Sequence, residues 1–425
     1  MKKYVEYKDS GIDWLGKIPS AWEIKKVKLQ FDVINGATPK SGEETFWDGD
    51  IMWVTPADYK TKDMYLNNSR RCITKSGLNS CGTSLVPKNS IIISNRAPIG
   101  SVALAAKELC TSQGCKSLVK KAELDDKYNY YFFSIMSNPL NMLGRGTTFL
   151  ELSSSDLKNF YIPTPPLQNQ QAIADYLDRK TAGIEALISD KQKLIDLLRE
   201  KRQDTISEAV IKGLDKSVKM KDSGIDWIGE IPSDWDVLPL FAVANENRTK
   251  NIGNNCANLL SLSYGNIINK DIETNFGLLP ESFENYQIVE EGYTILRLTD
   301  LQNDKRSLRS GYVREKGIIT SAYVGLVPSK KVDGLFLSEL LHGYDLMKIF
   351  YGLGNGVRQS MNYSDLKRLP IIVPPLEKQR EISTYLDQKM AQIDSLISDT
   401  AEQIEKLKEY RQSIISEAAT GKVAV

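Results

Sequence analysis

Isoleucine and leucine recur along two stretches of this chain in the same order and at the same spacing. The first set is Ile173, Leu177, Ile184, Ile188, Ile195, Leu198 and Ile206; the second is Ile382, Leu386, Ile393, Ile397, Ile404, Leu407 and Ile415. At about 100° per residue each set falls within an arc of roughly 80°, which predicts a long amphipathic helix with one narrow apolar seam. Positions 173, 184, 195 and 206 are spaced by eleven, a period that predicts a nearly straight rod rather than a left-handed supercoil.

The surrounding residues support two helices. Residues 165–209 align without a gap on 374–418, with 24 of 45 positions identical. A Pro-Pro pair opens each stretch, where missing N–H groups cost least, and Gly213 and Gly421 stand where C-caps are expected. Gly183 is the weak interior point. Such a helix is about 65 Å long, too long to be stable in water without a partner along its length. Two matching seams in one chain most simply bury each other across an internal two-fold axis, which makes the helices antiparallel. The competing arrangement packs each helix onto its own globular half.

A second repeat marks where each half begins. KDSGIDWLGKIPSAW at 8–22 returns as KDSGIDWIGEIPSDW at 221–235, with 12 of 15 positions identical, and SDLK recurs at 155–158 and 364–367. Between the repeats lie two segments that do not resemble each other. The expected organisation is a repeated segment (1–22), a variable domain (23–164), a central helix with the second repeated segment (165–235), a second variable domain (236–373) and a C-terminal helix (374–425).

Both variable segments read as mixed α and β. Strands are predicted over 50–59, over 258–267, and as a pair around the Pro-Gly turn of 90–106. Single helices are predicted over 128–143 and 337–351, each near the end of its domain. The fold class expected is α+β: two mixed domains separated by a pair of long antiparallel helices, with an internal pseudo-two-fold repeat.

Composition narrows the chemistry. A length of 425 residues, 41% hydrophobic and 26% charged, is ordinary for a multidomain globular protein. No apolar run predicts a membrane span, and the opening MKKYVEYKDSGID lacks the apolar core of a signal peptide. Net charge is +1, so a nucleic-acid partner requires an uneven charge distribution. Five cysteines without a CxxC pair and a single histidine, His342, do not make a zinc set; reduced thiols in the cytoplasm are expected.

Catalytic motifs are not found. There is no GxxxxGK[ST] loop for ATP, no credible Ser/His/Asp set, and TPPL and VPPL lack the polar first residue of an adenine methylase tetrapeptide. GLGNG at 352–356 imitates a nucleotide-binding loop, but LMKIFY before it predicts a helix end, so the run reads as a turn. An E-x-K at 23–25 becomes Asp-Val-Leu at 236–238, which argues for coincidence. Trp14, Trp22, Trp227 and Trp235 could stack on bases, but their repetition favours anchoring.

The doubled SGIDWxGxIPxxW phrase, two variable domains of nearly equal length and two PPL…Q…I…YLD…I…LI helices together resemble type I restriction–modification specificity subunits. The resemblance covers essentially the whole chain. It implies two target recognition domains, each reading half of a bipartite asymmetric site in double-stranded DNA. It also implies a helix pair that docks two modification (methyltransferase) subunits, with restriction/translocase subunits joining the complex. S-adenosylmethionine, ATP and magnesium then belong to those partners, and this chain needs no cofactor or metal of its own and does no catalysis. Half-site readers must sit about one helical turn apart, roughly 34 Å, which a rod of about 65 Å accommodates. Adenine methylation within a duplex requires base flipping into a partner's pocket. Two other classes stay open: a non-catalytic coiled-coil adaptor with two protein-binding domains, and a fused methylase or nuclease.

Base readers are Arg, Lys, Asn and Gln on loops, with other cations and hydroxyls on phosphates. The candidates in the first variable domain are Thr38 and Lys40 (NGATPKSG), Asn95 and Arg96 (ISNRAPIG), Gln113 and Lys116 (TSQGCK), and Arg145 (GRGTT). SNRAPIG resembles a recurring motif of the same family. In the second domain they are Tyr264, Asn266, Arg297, Gln302, Arg306, Arg309, Arg358 and Gln359. The run 296–316 holds six basic residues against three acids, which favours phosphate contacts there.

Overall fold

The two proline-led stretches fold as helices of 46 residues, Leu167–Lys212, and 44 residues, Leu376–Ala419. The computed structural model describes residues 3–59, 63–96, 98–144, 150–270, 282–299, 301, 308–352 and 360–425. The chain divides into two compact units, Met1–Lys191 with Glu402–Val425, and Gln192–Ala401. Each unit holds one copy of the phrase, one variable segment and a part of both long helices.

Burial follows the seam in both units. Leu198, Ile397 and Leu407 are half-buried, and every other member of the two sets is buried. In the first unit Lys191 Nζ donates to Gln403 Oε1 at 2.6 Å, and Glu185 pairs with Arg411. The partner's numbering falls as the first helix's rises, so the helices run antiparallel. In the second unit Ile206 and Leu198 join Ile382, Leu386, Ile393 and Ile397 in one core, with Phe336, Leu340 and Tyr344.

Glycine ends each long helix in the left-handed region, Gly213 at φ 76° and Gly421 at φ 74°. The second tryptophan of a phrase packs on each: a Cβ at Gly213 would come within 3.0 Å of Trp235, and one at Gly421 within 2.9 Å of Trp22. Trp22 and Trp235 are buried. The N-terminal phrase therefore seats on the end of the C-terminal helix. Lys422 fixes it there, donating to the carbonyls of Leu15 and Lys17. The phrase itself is a short hairpin in both copies, Tyr7–Asp9 with Lys17–Pro19 and Met220–Asp222 with Glu230–Pro232. Its first tryptophan differs between units: Trp14 stacks on Phe160 at 5.8 Å, whereas Trp227 meets Tyr344 edge-on at 4.8 Å.

Each variable domain is closed by the same two-stranded ladder, Glu23–Lys26 with Tyr161–Thr164 and Asp236–Pro239 with Pro370–Val373. Between those strands the first domain carries a five-stranded sheet, in the order Phe31–Asn35, Cys115–Lys120, Ile91–Ser94, Val102–Ala105, Tyr65–Leu66. A three-stranded sheet, Cys110–Thr111, Trp47–Val54, Arg71–Ile73, lies in the same domain. The second domain has a four-stranded sheet, Ala244–Glu246, Val324–Pro328, Thr294–Leu296, Ser310–Tyr312.

Four elements differ from the sequence expectation. The strand expected over 50–59 is Trp47–Val54 and gives way at Pro56 to a 3-10 turn, Pro56–Asp58. The strand expected over 258–267 is a hairpin, because Tyr264 and Gly265 both take positive φ, 46° and 82°. The helix expected over 128–143 is two, Asp126–Ser134 and Ser137–Met142, which divide at Ile135 and Met136. The helix over 337–351 spans Gly334–Leu346 and ends at Met347, before Lys348 at φ 63°, with a 3-10 turn Ile349–Gly352 beyond.

One buried glutamine per long helix ties it to its variable domain. Gln170 Oε1 accepts from the Asp125 amide at 3.0 Å and Nε2 donates to the Pro165 carbonyl at 2.9 Å. Gln379, its counterpart in the second helix, does the same to the Asp333 amide at 2.7 Å and the Pro374 carbonyl at 2.7 Å. Asp125 and Asp333 in turn cap the helices Asp126–Ser134 and Gly334–Leu346. No helix among the described residues is long and apolar enough to cross a membrane.

Candidate nucleic-acid interface

Six of the first-domain candidates gather at one end of the Cys115–Lys120 strand. Its register sets Lys116 opposite Asn35 on one side and Cys115 opposite Ser94 on the other. The loops carrying Thr38 and Lys40, Asn95 and Arg96, and Gln113 thereby meet. Thr38 Oγ1 bonds to Gln113 Oε1, and the Asn95 amide donates to the Gly114 carbonyl at 3.0 Å. Arg145 lies outside the described residues.

Within that cluster exposure separates two groups. Thr38, Lys40, Arg96 and Gln113 are exposed. Arg96 is held by Glu151 at 3.2 Å. Asn95 is fully buried, its Nδ2 donating to Glu151 Oε1 at 3.0 Å, while its Oδ1 has no partner among the described residues. Lys116 is buried too, and its Nζ donates to Asn35 Oδ1 at 3.1 Å and Ser154 Oγ at 3.0 Å. Burial lowers the Lys116 pKa, against the pull of Glu151. Asn95 and Lys116 are thus committed to the loops, and the exposed four form the surface. No local pattern marks Glu151, Asn35 or Ser154 as their partners, because each lies far away in the chain.

The second domain separates in the same way. Tyr264 and Asn266 are exposed at the tip of the hairpin, and Arg297 is half-buried. Arg309 is fully buried: its NH1 donates to the Thr299 carbonyl at 2.7 Å, and its guanidinium faces the Tyr351 ring at 5.4 Å. Its amide donates to Asp345 Oδ2 at 2.6 Å. A buried guanidinium satisfied by carbonyls organises a loop and does not present its fork to a base or phosphate. Gln302, Arg306, Arg358 and Gln359 lie outside the described residues.

At the turn of the hairpin opens a small polar cavity of about 100 Å³ whose lining includes Gly265, Arg202, Ser310, Glu339 and His342. Burial pushes the Glu339 pKa up to about 7 and the His342 pKa down to about 4. His342 Nδ1 lies 3.5 Å from Ser310 Oγ.

Comparison with known proteins shows the family of the chain and its fold. The family model described as type I restriction modification DNA specificity domain matches residues 19–196 and 311–406. The MjaIX specificity subunit of a type I restriction enzyme from Methanocaldococcus jannaschii is 27% identical over 443 residues, covering 99% of this chain and 97% of that protein. Among solved structures, a chain from a study of complex assembly and conformational transition of the type I R-M system superposes with a TM-score of 0.65 at 18% identity, covering 95% of this chain and 98% of the other. The HsdS subunit from Thermoanaerobacter tengcongensis superposes at 0.54 with 18% identity, over 95% of this chain and 98% of that one. At such identity the structures speak to the fold alone.

Proposed function

This chain belongs to the type I restriction modification DNA specificity domain family, and from that premise we propose that it reads a bipartite, asymmetric site in double-stranded DNA. Residues 23–164 read one half of the site and residues 236–373 the other. Two modification subunits dock on the repeated phrases and helices, and restriction/translocase subunits join them in the cytoplasm. S-adenosylmethionine, ATP and magnesium serve those partners, which carry out methylation and cleavage; this chain supplies the recognition frame.

The observation that carries this reading is the contrast between frame and contents. The buried Gln170 and Gln379, the phrase hairpins and the closing ladders recur at matching positions in both units. The central sheets they enclose share one antiparallel strand order, Phe31–Asn35, Cys115–Lys120, Ile91–Ser94, Val102–Ala105 against Ala244–Glu246, Val324–Pro328, Thr294–Leu296, Ser310–Tyr312. The sequences laid on that order do not resemble each other. A frame used twice suits a partner bound twice, and two domains unlike in sequence suit two unlike half-sites. The exposed Thr38, Lys40, Arg96 and Gln113 supply cations, a hydroxyl and an amide for phosphates and base edges. Selection of random duplexes by gel shift with the reconstituted methylase should enrich a split motif. A contiguous palindrome, or no enrichment, would overturn the proposal.

A further inference from the structure

The hairpin of the second unit combines features that point to a more specific role. Its strands pair from Leu260↔Asn269 to Ser263↔Asn266, leaving only Tyr264 and Gly265 to turn. Gly265 takes a φ of 82° freely, but Tyr264 at 46° is an aromatic residue in the left-handed region, where its Cβ crowds the backbone. The ring gains little packing in return: Tyr264 is 76% exposed. Strain of this kind in an exposed side chain is a mark of functional sites.

Nor is the hairpin a loose flap. Leu260 and Leu262 are buried, and they lie over glycines of the neighbouring strands. A Cβ at Gly311 would come within 2.6 Å of Leu262, and one at Gly317 within 2.6 Å of Leu260. The turn rests on Leu308 and His342, 3.1 and 3.2 Å from where a Gly265 Cβ would stand. With the apolar face seated, the opposite face turns outward, carrying Ser261, Ser263, Asn266 and the 47% exposed Ile268.

We propose that this hairpin is a two-stranded ribbon that enters a groove of the duplex, with Tyr264 as a stacking wedge at one base step and Asn266 at a neighbouring base edge. The inference rests on the reading that the chain binds DNA. A major groove about 12 Å wide admits a two-stranded ribbon. An apolar or aromatic side chain set between base steps unstacks them and bends the helix, and the sequence read there is partly that of the step which deforms most easily. A wedge must be stiff at its base and bare at its tip, and the seated leucines and the exposed ring provide both.

The test uses the assembled methylase and duplexes carrying its selected site, with 2-aminopurine placed in turn at each position of the half read by residues 236–373, the methylated adenine excepted. Wild type should raise fluorescence at one step. Tyr264→Ala should abolish that rise and weaken binding roughly tenfold to a hundredfold, while Tyr264→Phe keeps both. Asn266→Ala should keep the fluorescence rise and relax the methylated motif at one base of that half. Melting curves that match wild type establish that each variant is folded. Unstacking and affinity unchanged in Tyr264→Ala overturn the wedge, as does a Tyr264→Phe variant as impaired as Tyr264→Ala. Failure of the wild-type complex to prefer any split site would instead sink the recognition reading itself.

Discussion

Arg202 on the first long helix reaches Asp394 on the second, Nε to Oδ1, at 3.2 Å. The alignment of the two helices carries Arg202 onto Arg411 and Asp394 onto Glu185, and those two pair in the other unit. The duplicated sequence thus repeats not only its apolar seam but also a cross-helix ion pair that fixes register. A seam of isoleucines alone tolerates a slip of one turn, whereas a guanidinium facing one carboxylate does not.

The two contributions should separate in stability. Both residues of the Arg202–Asp394 pair are partly exposed, so Arg202→Ala should cost no more than about 1 kcal/mol. Leu386→Ala empties a fully buried seam position and should cost about 2–5 kcal/mol. Calorimetric melting of both variants, compared with wild type, checks the order.

Gln170→Leu and Gln379→Leu should destabilise to similar degrees, about 1–3 kcal/mol each. Each removes the acceptor of a capping aspartate's amide and the donor to a proline carbonyl, leaving buried groups unpaired. Hydrogen exchange should rise first in Asp126–Ser134 for one variant and in Gly334–Leu346 for the other.

The seam and its glycine ends were legible because helical period and C-cap chemistry are local. The glutamines carried a signal that periodicity overlooks: the same polar residue, at the same place in both copies, three positions before Ile173 and Ile382. The hairpin of strands Leu260–Ser263 and Asn266–Asn269 was not legible, because its turn puts a tyrosine where Asn or Asp usually advertises positive φ. The interface was only half legible. Lys40 and Lys116 look alike as letters; what separates them is that Asn35 and Ser154 fold over one and not the other.

That difference is measurable. Lys40→Ala should leave melting unchanged and weaken DNA binding by the assembled complex about equally on specific and unrelated duplexes. If Lys40 contacts a phosphate, the slope of log affinity against log salt should fall by about one unit. Lys116→Ala should instead lower the melting temperature.

Stability should also fall in acid through His342. Its pKa is about 4 in the folded chain, from an ordinary 6.5, because burial disfavours the imidazolium and Arg202 repels it. The unfolded chain then binds the extra proton between those values, so the contribution is complete above pH 6.5 and is lost as pH drops toward 4, to a ceiling of about 3 kcal/mol. Glu339 in the same cavity acts in the opposite sense, because at about 7 it takes up its proton in the folded chain first. His342→Gln should therefore make melting less acid-sensitive than in wild type and let stability rise as pH falls from 7 toward 4.5.

The most direct test of the account exchanges residues 236–373 for the corresponding segment of another family member, within the full chain and its complex, and sequences the methylated genome. One half of the split motif should change while the other half stays as in wild type. Both halves changing together, or neither, would contradict the claim that each unit reads its own half.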